Sequence, residues 1–204
     1  MTRKLLVATH NQGKVREYRA LLADLPLEVT YLDAEGIPVD VEETGATFAE
    51  NAILKARFYA DLSGLWTWAD DSGLVVDALG GAPGVYSARY AGPGASDADR
   101  YRKLLAALAA VPWAERTARF CCTVALARPA GTGGLVETAD GACEGVIAFG
   151  PVGDNGFGYD PVFYMPEHGA TMAQLDAQVK NRVSHRARAA AAAVPLLQRW
   201  VAET

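Results

Sequence analysis

Near its N-terminus the chain switches from one hydrophobic pattern to another, and that switch constrains the fold more than any other feature. Lys4 to Ala8 is a short apolar run that reads as a strand. The polar segment Thr9-His10-Asn11-Gln12-Gly13-Lys14 follows at once. Val15, Tyr18, Leu21, Leu22 and Leu25 then recur at three- and four-residue steps, which gives a helix one apolar face, and Pro26 stops it. Strand, polar loop and helix N-terminus therefore come in direct succession.

A second helix is signalled by Thr47 with Glu50 three residues on, a capping box, and by the stripe Phe48, Ala52, Ala56 and Tyr59. Its polar side carries Glu50, Asn51 and Lys55. Trp66 to Ala69 and Leu74 to Asp77 read as strands flanking an acidic turn, Asp70-Asp71-Ser72-Gly73, and the glycine-rich loop Gly80 to Gly84 closes that unit. A third helix starts near Ser96 and turns Tyr101, Leu104, Leu105 and Leu108 inward. Thr117 to Arg128 alternates, with Phe120, Cys122, Val124 and Leu126 on one face, and Leu135 to Phe149 is a second extended stretch. The two suit a long antiparallel ribbon. After the loop Gly153 to Pro161, a final helix is expected from about His185 to Val201, with Pro195 removing one backbone donor.

Half of the 204 residues are apolar and 21% are charged, which fits one compact unit or two closely joined lobes. The longest apolar run, Ala189 to Leu197, is far short of the roughly 20 residues of a membrane span, and no signal-peptide pattern opens the chain. A cytoplasmic protein without a membrane partner is expected. Cys121, Cys122 and Cys143 are odd in number and lack C-x-x-C spacing, so buried thiols are expected rather than disulfides or zinc. The formal charge of −5 argues against a stable nucleic-acid partner, because such binding needs clustered positive charge.

Thr9 to Lys14, leaving a strand and entering a helix, suits an anion, since free N–H groups and the helix dipole favour one there. Alone the segment is weak evidence, because it has neither P-loop nor dinucleotide-fold spacing. Glu42, Glu43, Asp70 and Asp71 form two adjacent carboxylate pairs suited to a hard cation, with magnesium the natural candidate. Adjacent acids on an extended segment point to opposite faces, and Glu43 is expected to be a solvated surface charge. Phe157-Gly158-Tyr159-Asp160-Pro161 places an aromatic ring in a flexible loop beside a carboxylate, chemistry that suits stacking on a base. Lys180, Ser184, His185 and Arg186 bring donors to the start of the last helix. No histidine pair has metal-ligand spacing, and no G-x-S-x-G elbow supports a covalent hydrolase.

Six blocks in order, Thr9-x-Asn11-x-x-Lys14, Glu42-Glu43-Thr44-Gly45 with Phe48-x-Glu50-Asn51-Ala52-x-x-Lys55-Ala56, Ala69-Asp70-Asp71-Ser72-Gly73-Leu74, Gly80-Gly81-Ala82-Pro83-Gly84-x-Tyr86-Ser87-Ala88-Arg89, Phe157-Gly158-Tyr159-Asp160-Pro161 and Ser184-His185-Arg186, resemble the inosine triphosphate pyrophosphatase family nearly end to end. The resemblance implies one α/β domain over residues 1–204, with a long central mixed β-sheet, flanking helices and two lobes around a nucleotide cleft. It implies a homodimer that converts ITP, dITP and XTP to a monophosphate and pyrophosphate, cleansing the nucleotide pool. Carried over by motif position, Asp71 resembles the catalytic base and a metal-site acid, with Glu42 as a second metal carboxylate for Mg²⁺. Thr9, His10, Asn11, Gln12, Gly13, Lys14, Lys55 and Ser72 resemble triphosphate contacts. Phe157, Gly158, Tyr159, Asp160, Lys180, His185 and Arg186 resemble base and sugar contacts. Two positions depart from the pattern: His10 stands where glycine is common, and Gln178 where a glutamate often precedes the lysine.

Water attack on phosphorus that carries negative charge asks for positioning and charge neutralisation more than covalent chemistry. A Maf-like pyrophosphatase for other modified nucleotides is the rival enzyme, disfavoured by the Ser184-His185-Arg186 ending. A nucleotide-binding module without turnover is the rival from another class, disfavoured by intact acids at 42 and 71.

Overall fold

The computed structural model describes residues 3–203. Seven strands form one sheet in the order β2-β1-β3-β4-β5-β6-β7: β1 (Lys4–Val7), β2 (Glu28–Tyr31), β3 (Trp66–Val76), β4 (Thr117–Ala127), β5 (Val136–Ile147), β6 (Phe163–Met165) and β7 (Ala170–Thr171). The longer helices are α1 (Gln12–Leu21), α2 (Phe48–Ser63), α3 (Asp97–Ala107), α4 (Ala177–Val183) and α5 (His185–Ala202). The sheet is mixed: β1 pairs in parallel with β2 and β3, while β6 pairs antiparallel with β5 and β7. With its flanking helices it is the α/β architecture expected.

The chain divides into two compact units, one of Met1–Asp71, Cys122–Gly141 and Arg186–Thr204, the other of Ser72–Cys121 and Ala142–His185. In the first unit the strands are covered on both faces. Val15, Tyr18 and Leu22 from the α1 segment and Ala189, Ala193 and Leu197 of α5 pack with Leu5, Val7, Trp68 and Val124. Ala52, Ala56 and Tyr59 of α2 pack with Leu6, Ala69 and Ala125 on the alternate side chains. Strands covered on both faces lose the alternation of a half-exposed sheet, which explains why β1 and the start of β3 read as continuous apolar runs.

The second unit has its own core of Leu74 and Val76, Leu104 and Leu108, Phe120, Ile147, Phe163 and Met172. A Cβ at Gly145 would lie 2.6 Å from both the Phe163 ring and the Tyr164 carbonyl, so this glycine is what lets β6 approach β5. Arg116 is buried there. Its guanidinium donates to the carbonyls of Ile147, Leu108, Ala148 and Val111 at 2.7, 2.8, 3.0 and 3.3 Å.

Two boundaries differ from the sequence reading. Helix α1 ends at Leu21, a turn before Leu25, although Leu25 still packs on the same core, so the helical stripe outlasts the helix. The Asp70-Asp71-Ser72-Gly73 segment is the middle of a continuous eleven-residue strand and not a turn. Turn-type residues are overridden there because both carboxylates find partners inside the fold, as described next.

Candidate active site

Asp70 and Asp71 are consecutive residues of β3, so the pleat sends their side chains to opposite faces. Both are buried, at 2% and 6% exposure, because each face is covered. Neither is the solvated charge that adjacent acids usually leave.

On the α1 and α5 face, the Asp70 carboxylate lies 2.9 Å from the Lys14 ammonium and 3.5 Å from Nε of Arg186. Arg186 is itself buried and also pairs with Glu17 of α1 at 2.5 Å. Burial pushes the Asp70 carboxyl up, but the charges of Lys14, Arg186 and Lys55 outweigh it and hold the group well below the usual carboxylate range. Burial likewise lowers the Arg186 guanidinium, and Asp70 and Glu17 more than restore it. The Cys122 thiol lies 3.7 Å from the same carboxylate, and burial pushes it up, so it remains a neutral thiol.

On the α2 face, Asn51 and Lys55 lie one helical turn apart. Asn51, fully buried, donates to Asp71 at 3.0 Å and accepts from the Gly45 amide at 2.7 Å. The Lys55 ammonium lies 2.5 Å from Glu43 and 3.7 Å from Asp71. Burial raises the Asp71 carboxyl and the Glu43 charge raises it further, against Lys55 and the Asn51 hydrogen bond, and the net shift is upward. For Lys55, burial is outweighed by Asp71, Glu43 and Asp70, so it is held as a cation.

Two placements revise the sequence reading here. Glu43 is not a solvated surface charge, because it is partly buried against Lys55. Glu42 is the exposed member of that pair. The extended backbone after Val41 alternates its side chains, and the register that points Glu43 inward points Glu42 out.

The first loop is tightly organised. Asn11 caps α1, its side chain accepting from the Gly13 and Lys14 amides at 2.8 and 3.1 Å, so two donors expected to face an anion are used by the cap. Thr9 accepts from the Asn11 amide at 3.1 Å, while His10 and Gln12 meet the two oxygens of Asp33 at 2.8 and 3.1 Å. Among the described residues only glycines take positive φ, so His10 needs no conformation that glycine alone would favour.

In the second unit, Asp160 accepts from the Phe157 amide at 2.9 Å and from Lys180 at 2.6 Å, and the Lys180 ammonium stands 4.9 Å from the centroid of the Phe157 ring. The Tyr159 hydroxyl donates to the Ser87 carbonyl at 2.8 Å, and the Gly158 amide donates to Asp97 at 2.7 Å. His185 is buried and stacks on Phe120, centroids 4.7 Å apart. Ser72 is the first residue of this unit, partly buried in β3.

Among the described residues no three His, Cys, Asp or Glu side chains converge as a ready-made metal cage. A magnesium ion does not need one, since it keeps several waters and binds through one or two carboxylates together with substrate phosphates. Glu43 and Asp71 fit that chemistry. They are oxygen donors facing the same Lys55 ammonium, and the charge of Glu43 already raises the Asp71 carboxyl, a repulsion that a cation relieves.

A model of the Ham1 family matches residues 5–196 of the chain. The chain belongs to the Ham1 family. Its curated Ham1 relatives include the dITP/XTP pyrophosphatase of Geobacter sulfurreducens, 55% identical over 94% of both chains. The dITP/XTP pyrophosphatase of Geobacillus kaustophilus is 53% identical over 92% of this chain and 90% of its own. Among solved structures, a HAM1 protein from Coxiella burnetii superimposes with a TM-score of 0.87 at 44% identity, covering 97% of this chain and all of its own.

Reading the sequence alone missed two residues at the Asp71 group. Asn51 and Lys55 share a helix face by their spacing of four, and that spacing was the available signal for Asn51. Glu43 differs from Glu42 only in register.

Proposed function

We propose that this protein hydrolyses the non-standard purine nucleoside triphosphates ITP, dITP and XTP to the monophosphate and pyrophosphate, with magnesium as the metal. The observation that carries the chemistry is the split between neighbouring acids: Asp70 is held as a permanent anion while Asp71 is raised toward basicity. Two carboxylates driven apart in pKa mark a division of labour between a fixed charge and a proton acceptor. The names of the Ham1 relatives supply the substrate class.

Asp71 orients the attacking water and accepts its proton as the α–β anhydride bond breaks and pyrophosphate departs. Lys55 and Lys14 stabilise the phosphate oxygens. Glu43 and Asp71, rather than Glu42, would hold the magnesium, which when bound neutralises phosphate charge. The Asn51 amide keeps one Asp71 oxygen oriented. The Phe157 ring offers a face on which a purine stacks, and Lys180 carries a cation beside it.

A homodimer belongs to the same reading, supported by the exposed Trp113, Phe149 and Val152 of the second unit. So does a cytoplasmic location: among the described residues no helix is long and apolar enough to cross a membrane. Product analysis tests the central claim. ITP with magnesium should give IMP and pyrophosphate; IDP with orthophosphate would overturn the bond assignment, and no turnover would leave a binding module.

A further inference from the structure

We propose that Asp97 is a positioning residue for the base, a latch whose carboxylate holds the Gly158 amide and so sets how the Phe157 ring is presented. The proposal rests on the reading that the Phe157 loop takes the purine. Asp97 lies outside every block of the resemblance, 61 residues before its partner.

The latch is held by its own neighbours on α3. Ser96 and Asp99 form a reciprocal capping box, which fixes the backbone of the first turn of α3 where Asp97 sits. One Asp97 oxygen faces Arg100 at 3.0 Å, and Arg100 is itself tied to the Ala95 carbonyl at 2.8 Å. The other oxygen accepts from the Gly158 amide at 2.7 Å. Arg100 thus selects the rotamer that delivers the second oxygen to the loop.

The loop needs such a tie. Phe157 stands between Gly156 and Gly158, at φ +78° and +66°, two joints with the greatest freedom the backbone allows. Asp160 secures the joint before the ring through the Phe157 amide, and Tyr159 is anchored on Ser87. The joint after the ring is secured by Asp97. Releasing it would make the ligand order the loop, a cost that appears in binding rather than in the chemical step.

Asp97→Ala should raise KM for ITP, dITP and XTP alike by about five- to tenfold, with kcat held within about threefold. Inhibition by pyrophosphate, which lacks a base, should stay unchanged. Asp97→Asn retains an acceptor oxygen and should restore KM to within about threefold of wild type. In the wild-type protein the Gly158 amide should be protected from hydrogen exchange, a measurement that stands even where Asp97→Ala does not fold; exchange at the rate of a free peptide would overturn the latch. The latch also falls when Asp97→Asn is as impaired as Asp97→Ala, or when pyrophosphate inhibition weakens in parallel. Phe157→Ala separates the two layers. A raised KM there with an unchanged KM in Asp97→Ala removes the latch alone. An unchanged KM in Phe157→Ala removes the base reading and the latch with it.

Discussion

Replacing either neighbouring aspartate of β3 with asparagine removes one charge and keeps the size, yet the two variants should differ in stability. Asp70 is the counter-charge of two cations, Lys14 at 2.9 Å and Arg186 at 3.5 Å. Breaking a buried ion pair from one side costs about 3–5 kcal/mol, because a buried charge is left uncompensated. Glu17 remains on Arg186, and Lys14 is partly exposed and can turn to water, so the lower end applies, about 3 kcal/mol. For a chain of this size that corresponds to a melting shift of about 6–12 °C. Asp71 is different, since its carboxyl is raised mainly by burial and next by Glu43. A raised carboxyl contributes stability that is lost as pH rises through its folded pKa, so at pH 7 asparagine removes a charge the fold disfavours. Lys55 keeps Glu43 as a partner. The Asp71→Asn change should therefore lie within about 1 kcal/mol of wild type, toward stabilisation. The sign reverses for Asp70, whose depressed carboxyl contributes stability above the ordinary aspartate pKa that is lost as pH falls. Wild type should accordingly lose stability in acid more steeply than Asp70→Asn. Urea unfolding at pH 7 and at lower pH measures all three proteins. Equal losses in the two variants, or a loss under 1 kcal/mol at position 70, would refute the division between fixed anion and poised base.

Turnover should follow the opposite order: Asp71→Asn should lower kcat/KM for ITP by at least about 100-fold, as loss of a general base does. Lowering magnesium should move the acid limb of the wild-type kcat/KM profile to higher pH, because burial and the Glu43 charge raise the Asp71 carboxyl and a bound cation opposes that shift. Glu43→Gln should raise the magnesium concentration for half-maximal rate by about tenfold or more, whereas Glu42→Gln should leave it within about twofold, read by metal titration at fixed ITP. Arg116→Met should destabilise the protein by about 3–5 kcal/mol in chemical denaturation, since it leaves several buried carbonyls without their donor.

Local signals carried the elements whose partners lie nearby. The Thr47 and Glu50 capping box appears at the start of α2 as expected, and the alternating Thr117 to Arg128 segment is β4 and neighbours β5. The signals failed where tertiary partners outweighed local chemistry. Asp-Asp-Ser-Gly is turn composition, and it is strand here because two lysines from different helices reach its two acids. Leu25 continued a helical stripe past the helix, since a hydrophobic period reports which face meets the core and not where the hydrogen bonds stop.

The site was legible as a set of residues but not as a set of pairs, and the reason lies in the strand itself. Consecutive acids on a strand must serve different faces, so each belongs with whichever helix covers its face. Lys14 is 56 residues from Asp70 along the chain, and Arg186 is 169 residues from Glu17. Periodicity cannot report partners that distant. Once β3 is placed between α1 and α5 on one side and α2 on the other, the pairing follows from the faces alone. Asp70 must balance the cations of the first face, so it is unavailable as a base. Asp71 shares Lys55 with Glu43, and its carboxyl is raised by burial and then by the Glu43 charge. The same geometry explains why Glu43 rather than Glu42 enters the group: Lys55 recruits the one acid of that pair whose register points inward.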